Sequence, residues 1–218
     1  MSTDSFSDML NHRINVCKRG CPLCNEMSNQ DALSNLLGIY KTHDEKFLLQ
    51  TSHFVAMPDI FPLVPGHTIL LTRDHVLSMA QIPIEWYDEL KKVKSELAIH
   101  LSKQFGTLFC FEHGDADGEM TSGVCIKHAH LHFIPAVISI EEWVKPYSNQ
   151  PIEIVPIEYP AILNGIKGSY IYYENLSGSG LFVYPNKPLP EQFIRRVVAE
   201  SCHLPEWDWK KTALPFLL

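Results

Sequence analysis

Three histidines at alternate positions, His128-Ala-His130-Leu-His132, are the strongest chemical signal in this 218-residue chain. On a β-strand, alternate side chains share one face. The three imidazoles are then expected on one side, with neighbours roughly 6.5–7 Å apart along the strand. Ala129, Leu131 and Phe133 point the other way, into a core. A neutral imidazole is a competent nucleophile near pH 7, because its ordinary pKa is about 6.5, and it is also a common metal ligand. Two chemistries therefore compete for the motif: attack by a ring nitrogen on an electrophile, or a metal-dependent hydrolase with the ion held by all three rings.

A second signal is Cys21-x-x-Cys24. This spacing lets two thiolates grip one tetrahedral zinc; a redox pair is the other reading. A four-coordinate site needs two more ligands, and histidines stand at 43, 53, 67, 75, 100, 113, 128 and 203. The third signal is Pro65-Gly66-His67-Thr-Ile-Leu-Leu-Thr-Arg73-Asp74-His75-Val76, a glycine turn and an apolar strand with a basic, histidine-bearing exit. Glu112 and His113 lie on the strand expected beside the three histidines and are candidates to face a substrate pocket. Arg195, on a C-terminal helix, is a candidate phosphate ligand, since guanidinium grips phosphate in bidentate fashion.

The elements that must position these groups are short. Phe47 to Thr72 carries three apolar runs broken by turns, which predicts an antiparallel meander. Trp86, Leu90, Val93, Leu97, Ile99 and Leu101 predict one long amphipathic helix over 84–105, with Pro83 at its start and Gly106 at its stop. Strands follow at 108–113 and 127–136, separated by a polar loop, Gly-Asp-Ala-Asp-Gly-Glu-Met-Thr-Ser-Gly, that reads as mobile. Beyond residue 138 come a strand pair around Ser-Gly-Ser-Gly and a helix from Pro190 to about His203. Residues 1–16 read as loosely held. The expected class is α+β, an antiparallel sheet with one long packed helix. Residues 17–138 form the catalytic domain in this reading, and 139–218 an extension packed on it.

Composition narrows the function. Acids outnumber bases 25 to 18, for a net charge of -7. That disfavours a nucleic-acid surface, which needs excess Lys and Arg. The apolar runs are strand-sized, so no membrane span is expected. Cysteines at 17, 21, 24, 110, 125 and 202 do not form a secreted disulfide pattern, and no export signal precedes them; a cytoplasmic location is the expectation.

Gly-His-Thr-Ile-Leu-Leu-Thr-Arg-Asp-His-Val at 66–76, then a long helix, Phe-Glu-His-Gly at 111–114 and His-Ala-His-Leu-His-Phe at 128–133 together resemble the histidine triad (HIT) superfamily of nucleotide hydrolases and transferases. Gln-Phe-Ile-Arg-Arg-Val and Trp-Asp-Trp resemble the tail of CwfJ-like members over a short stretch. The resemblance implies His130 as nucleophile, His132 as holder of a phosphate oxygen and His67 as the buttress of the triad. It implies structural zinc on Cys21, Cys24, His75 and His128. It places Val124 and Cys125 where many members carry Gln and Ser or Thr, so Cys125 is the matching phosphate-side position. The implied partner is a small-molecule nucleotide or nucleotide conjugate, with a homodimer as the open assembly state. The unusual residues at 124 and 125 keep a second reading alive: a nucleotide-binding or interaction protein that has kept the pocket without the chemistry.

Overall fold

In a computed structural model, the described residues are 20–116, 126–148, 153–156, 160, 163–175 and 179–209. The 114–123 loop therefore lies partly outside them, as do residues 1–16 and Cys125. The element order is α1 (Pro22–Ser28), α2 (Leu33–Leu36), β1 (Leu49–Gln50), β2 (Phe54–Pro58), β3 (Thr68–Thr72), α3 (Tyr87–Phe105), β4 (Phe109–Asp115), β5 (His130–Ile134), α4 (Glu141–Val144), β6 (Glu153–Pro156), β7 (Ser169–Asn175), β8 (Ser179–Val183) and α5 (Phe193–Ser201). One antiparallel eight-stranded sheet runs β1-β2-β3-β5-β4-β7-β8-β6, and the fold is α+β.

The period of two along each strand sorts side chains between two faces. One face is continuous: Phe54, Ala56, Leu70, Cys110, Leu131, Phe133, Tyr170 and Tyr172 pack with Leu90, Val93, Leu97 and Leu101 of α3. Shortening a fully buried side chain such as Leu90 to Ala costs about 2–5 kcal/mol. Ile99, counted above with the apolar stripe of α3, is instead 52% exposed, and the buried stripe takes in Lys94. Gly106 ends the helix at φ +84°, a backbone region that L side chains rarely adopt.

The opposite face is covered in two separate pieces. Val55, Met57, Ile69 and Leu71 pack under the N-terminal segment through Leu23, Leu33 and Phe61. Phe109, Phe111, Ile171, Tyr173 and Val183 pack under Phe193, Ile194 and Val197 of α5. β5 lies between β3 and β4, at the seam between these two covers. The N-terminal cover is pinned by buried polar contacts. Lys46 Nζ pairs with Glu26 at 3.2 Å, and the Ser34 backbone N–H donates to Glu26 at 2.9 Å.

The strand pair of the 139–218 segment joins the sheet. β7 pairs with β4 along all seven residues from Phe109↔Asn175 to Asp115↔Ser169, and so continues the sheet. β6 and the two short N-terminal helices are elements that the hydrophobic pattern leaves unmarked. The knuckle at 21–24 is the start of a helix, with Pro22 in its first turn.

Candidate active site and metal centre

β5 delivers His130 and His132 to the seam, with Leu131 and Phe133 locked in the core behind them. Their rings meet edge to face at 4.9 Å. His130 Nδ1 lies 2.5 Å from the His128 carbonyl. A carbonyl only accepts, so Nδ1 carries the proton and the lone pair sits on Nε2. Burial draws the His130 pKa below its ordinary value, against the carbonyl contact and Asp59, which favour the charged ring. The ring is therefore neutral at neutral pH.

His132 has the opposite arrangement, and it is fixed from a distance. The Leu63 backbone N–H donates to His67 Nδ1 at 3.2 Å. His67 therefore carries its proton on Nε2, which sits 2.9 Å from His132 Nδ1. With Nδ1 accepting, His132 holds its proton on Nε2. His132 also stacks on Phe111, 4.6 Å between centroids and 9° from parallel. Burial lowers the His67 pKa to about 4, opposed by Asp59 and aided by Arg195. Burial, then the neighbouring His130, His67 and Arg195, hold His132 well below the ordinary imidazole value. One turn and one strand thus leave a bare ring nitrogen and an N–H donor side by side.

Asp59, at the end of β2, is a site residue that sequence reasoning missed. Its Oδ2 lies 3.3 Å from His67 Nε2 and 3.6 Å from both His132 Nδ1 and Arg195 Nη1. Burial raises its pKa, but His67, Arg195 and the Phe61 N–H outweigh that and leave it lowered. The signal available in the sequence was the β2–β3 hairpin, whose register sets Pro58 opposite Thr68 and so brings Asp59 alongside His67. Asp59, His67 and His132 lie close enough to suggest a metal. The Leu63 N–H on His67 Nδ1 argues otherwise, because it puts the proton on the nitrogen that would have to bind the ion. Arg195 already supplies the positive charge.

Three expectations need correction. Glu112 does not face the triad: it is buried on the α3 side, accepting from the Met79 N–H at 2.7 Å and the Tyr170 hydroxyl at 2.6 Å. Strand parity explains this, since Phe111 is opposite His132 and its neighbour must point away. Burial pushes the Glu112 pKa up to about 7, against those two hydrogen bonds. Arg195 is not displayed to a phosphate; it is buried, donating to the Phe61 carbonyl at 2.8 Å and the Trp207 carbonyl at 3.0 Å. The three triad rings do not converge on one ion, because His128 turns toward the cysteines. His113 does share the face of Phe111, and its Nε2 is buried without a hydrogen-bond partner. Cys125 lies outside the described residues.

His128 Nδ1 lies 3.3 Å from Cys21 Sγ and 3.4 Å from Cys24 Sγ. His75 Nδ1 lies 3.3 Å from Cys24 Sγ. The four donor atoms are all within 4.8 Å of one another, a group able to hold a metal ion. His128 Nε2 donates to the Thr72 carbonyl at 2.7 Å, which leaves the Nδ1 lone pair aimed at the thiols. Burial, then the adjacent Cys21, pushes the Cys24 thiol up to about 12. A cation at the centre would reverse that penalty, so the donor set fits a bound ion.

The site is thus an antiparallel sheet presenting paired histidines from one strand, buttressed by a third histidine from the neighbouring hairpin. Residues 41–137 match the family model of the HIT domain, and the chain carries a HIT-superfamily domain there. A curated relative is the Zinc finger CCCH domain-containing protein 59 of Oryza sativa subsp. japonica. It is 26% identical over 168 residues, 68% of this chain and 26% of that protein, so the chain spans about a quarter of that relative. Among solved structures, a HIT family protein from Bacillus anthracis is 19% identical, covering 57% of this chain and 84% of its own, with TM-score 0.41. A HIT family hydrolase from Legionella pneumophila is 16% identical, covering 56% and 96%, with TM-score 0.36. No helix among the described residues is long and apolar enough to cross a membrane.

Proposed function

We propose that the chain is a nucleotide phosphohydrolase or nucleotidyltransferase that works through a covalent nucleotidyl-His130 intermediate. The observation that carries this reading is the 2.5 Å contact of His130 Nδ1 with the His128 carbonyl, which leaves Nε2 as a free lone pair on a rigid strand. Nε2 attacks the α-phosphorus of a nucleotide conjugate. A P–N bond forms, the bond from phosphorus to the leaving group breaks, and the leaving group departs with its electron pair. The ring becomes a phosphorylated imidazolium whose Nδ1–H stays on the carbonyl. Negative charge on a non-bridging oxygen is met by the His132 Nε2–H, and loss of such a donor typically costs about 3–4 kcal/mol. Water then attacks phosphorus, the P–N bond breaks, and neutral His130 is regenerated with a nucleoside monophosphate. An alcohol or a second phosphate in place of water makes the reaction a transfer. In this reading His113, on the adjoining strand with its Nε2 unpartnered, contacts the substrate.

The proposed ion at Cys21, Cys24, His75 and His128 is zinc, the usual guest of a Cys2His2 set. It supplies a structural tie between α1 and the residue that opens the triad, with no open coordination position for substrate.

The test is a mass-spectrometric screen of wild-type and His130→Ala protein against nucleotide conjugates. The expected result is a nucleotidyl adduct on His130, and turnover, in the wild type alone. Nucleotide binding with neither adduct nor turnover would overturn the enzymatic reading in favour of a sensing or assembly role.

A further inference from the structure

We propose that Arg195, supplied by α5, is a positioning residue that keeps His132 in the tautomer whose Nε2–H faces the cleft, by neutralising Asp59. Its catalytic meaning rests on the reading of His132 as a phosphate donor; the tautomer itself does not.

Two groups compete around His132 Nδ1. His67 offers a proton at 2.9 Å, and Asp59 Oδ2 stands at 3.6 Å. A bare carboxylate at that range favours a proton on Nδ1, giving an imidazolium or the alternative tautomer. In the alternative tautomer a lone pair, rather than an N–H, faces the cleft and repels a phosphate oxygen. The carboxylate is not bare. Arg195 Nη1 lies 3.6 Å from the same oxygen, and the Phe61 N–H donates to Oδ1 at 2.8 Å. Arg195 is itself held by the Phe61 and Trp207 carbonyls. One planar fork thus grips two carbonyls while facing the carboxylate, a geometry a lysine ammonium does not reproduce. Among the described residues, the charged and titratable groups bearing on His132 are His130, His67, Asp59 and Arg195.

The arrangement also joins the two covers of the sheet. Asp59 and Phe61 belong to the N-terminal side, whereas Arg195 and Trp207 come from the C-terminal segment. This guanidinium spans the seam that holds the triad, beside Trp209, which stacks on Phe61 at 5.5 Å.

The experiment is side-chain 15N NMR of histidine-labelled full-length protein, comparing wild type, Arg195→Gln, Asp59→Asn and the double variant. In wild type, neutral His132 should show Nδ1 unprotonated. Arg195→Gln should move the proton to Nδ1 or raise the His132 titration midpoint by about one pH unit. Its turnover should fall tenfold or more with KM nearly unchanged. Asp59→Asn combined with Arg195→Gln should restore the wild-type pattern, a rescue that a merely structural arginine would not give. A folded Arg195→Gln protein with wild-type His132 signals overturns the proposal. Should Arg195→Gln fail to fold, Asp59→Asn decides: the wild-type tautomer must persist there, and a proton moving to Nδ1 overturns the proposal. The expected NMR pattern without turnover in any variant supports the Arg195 assignment while removing the catalytic reading of the site.

Discussion

His67 Nε2 and His132 Nδ1 face each other at 2.9 Å, and the backbone N–H of Leu63, on the far side of the His67 ring, decides which of them donates. A main-chain amide in the 62–66 turn thereby sets the proton position on a residue of β5. Replacing His67 by Leu should leave the sheet paired but release the His132 tautomer. The expected outcome is a fall in kcat on the order of 10²-fold with KM changed little, read by steady-state kinetics on the substrate found in the screen.

The metal assignment predicts one equivalent of zinc per chain by elemental analysis. Cys24→Ser and His75→Ala should each carry much less. Chelation should lower the thermal midpoint by about 2–4 °C for each kcal/mol lost in a chain of this size. Activity should fall together with the fold. A chelated protein that stays fully folded yet inactive would point to a catalytic ion instead.

Acid should destabilise the protein through His67 and His113, whose pKa values burial holds at about 4. Unfolding lets each ring return to about 6.5, so the unfolded chain binds more protons between those limits. Their stabilising contribution is complete above pH 6.5 and is lost as pH falls toward 4, at up to about 1.4 kcal/mol per pH unit per ring. Urea unfolding at a series of pH values should show that slope, and His113→Gln should flatten it.

Glu112 has the reverse sign. Burial raises its pKa from 4.5 to about 7. Its contribution is complete below pH 4.5 and is lost as pH rises through 7. Glu112→Gln should remove that part of the pH dependence in the same urea series, with the triad signals unchanged because the side chain lies on the α3 face.

Gly114→Ala should destabilise by roughly 1–3 kcal/mol, the usual cost of overpacking. An added Cβ would overlap the Tyr170 ring. That ring is fully buried and hydrogen-bonded to Glu112, so it has little room to yield. Thermal melts of the two proteins test this.

The legible parts of the site were those written locally. Period-two histidines, a Cys-x-x-Cys knuckle and a glycine-turn hairpin announce themselves within a few residues. The faces of β5 follow from parity alone. The same parity, applied to β4 from Phe111 opposite His132, would have turned Glu112 away; without a register the two faces look alike in sequence. Asp59 and Arg195 were harder. Each is a single charged residue among many, and what makes them matter is a 3.6 Å approach across 136 residues of chain. The place of the C-terminal strands in the sheet was not legible either. Nothing local says that β7 hydrogen-bonds to β4.

That ladder has a bearing on assembly. β4 is already saturated on both sides, by β5 and β7. Another molecule therefore has no backbone left to grasp there, and among the described strands the free edges of the sheet are β1 and β6. Cutting the chain after the last triad strand would bare a seven-residue ribbon carrying Phe109 and Phe111, an invitation to self-adhesion. The extension acts as the strand's built-in chaperone.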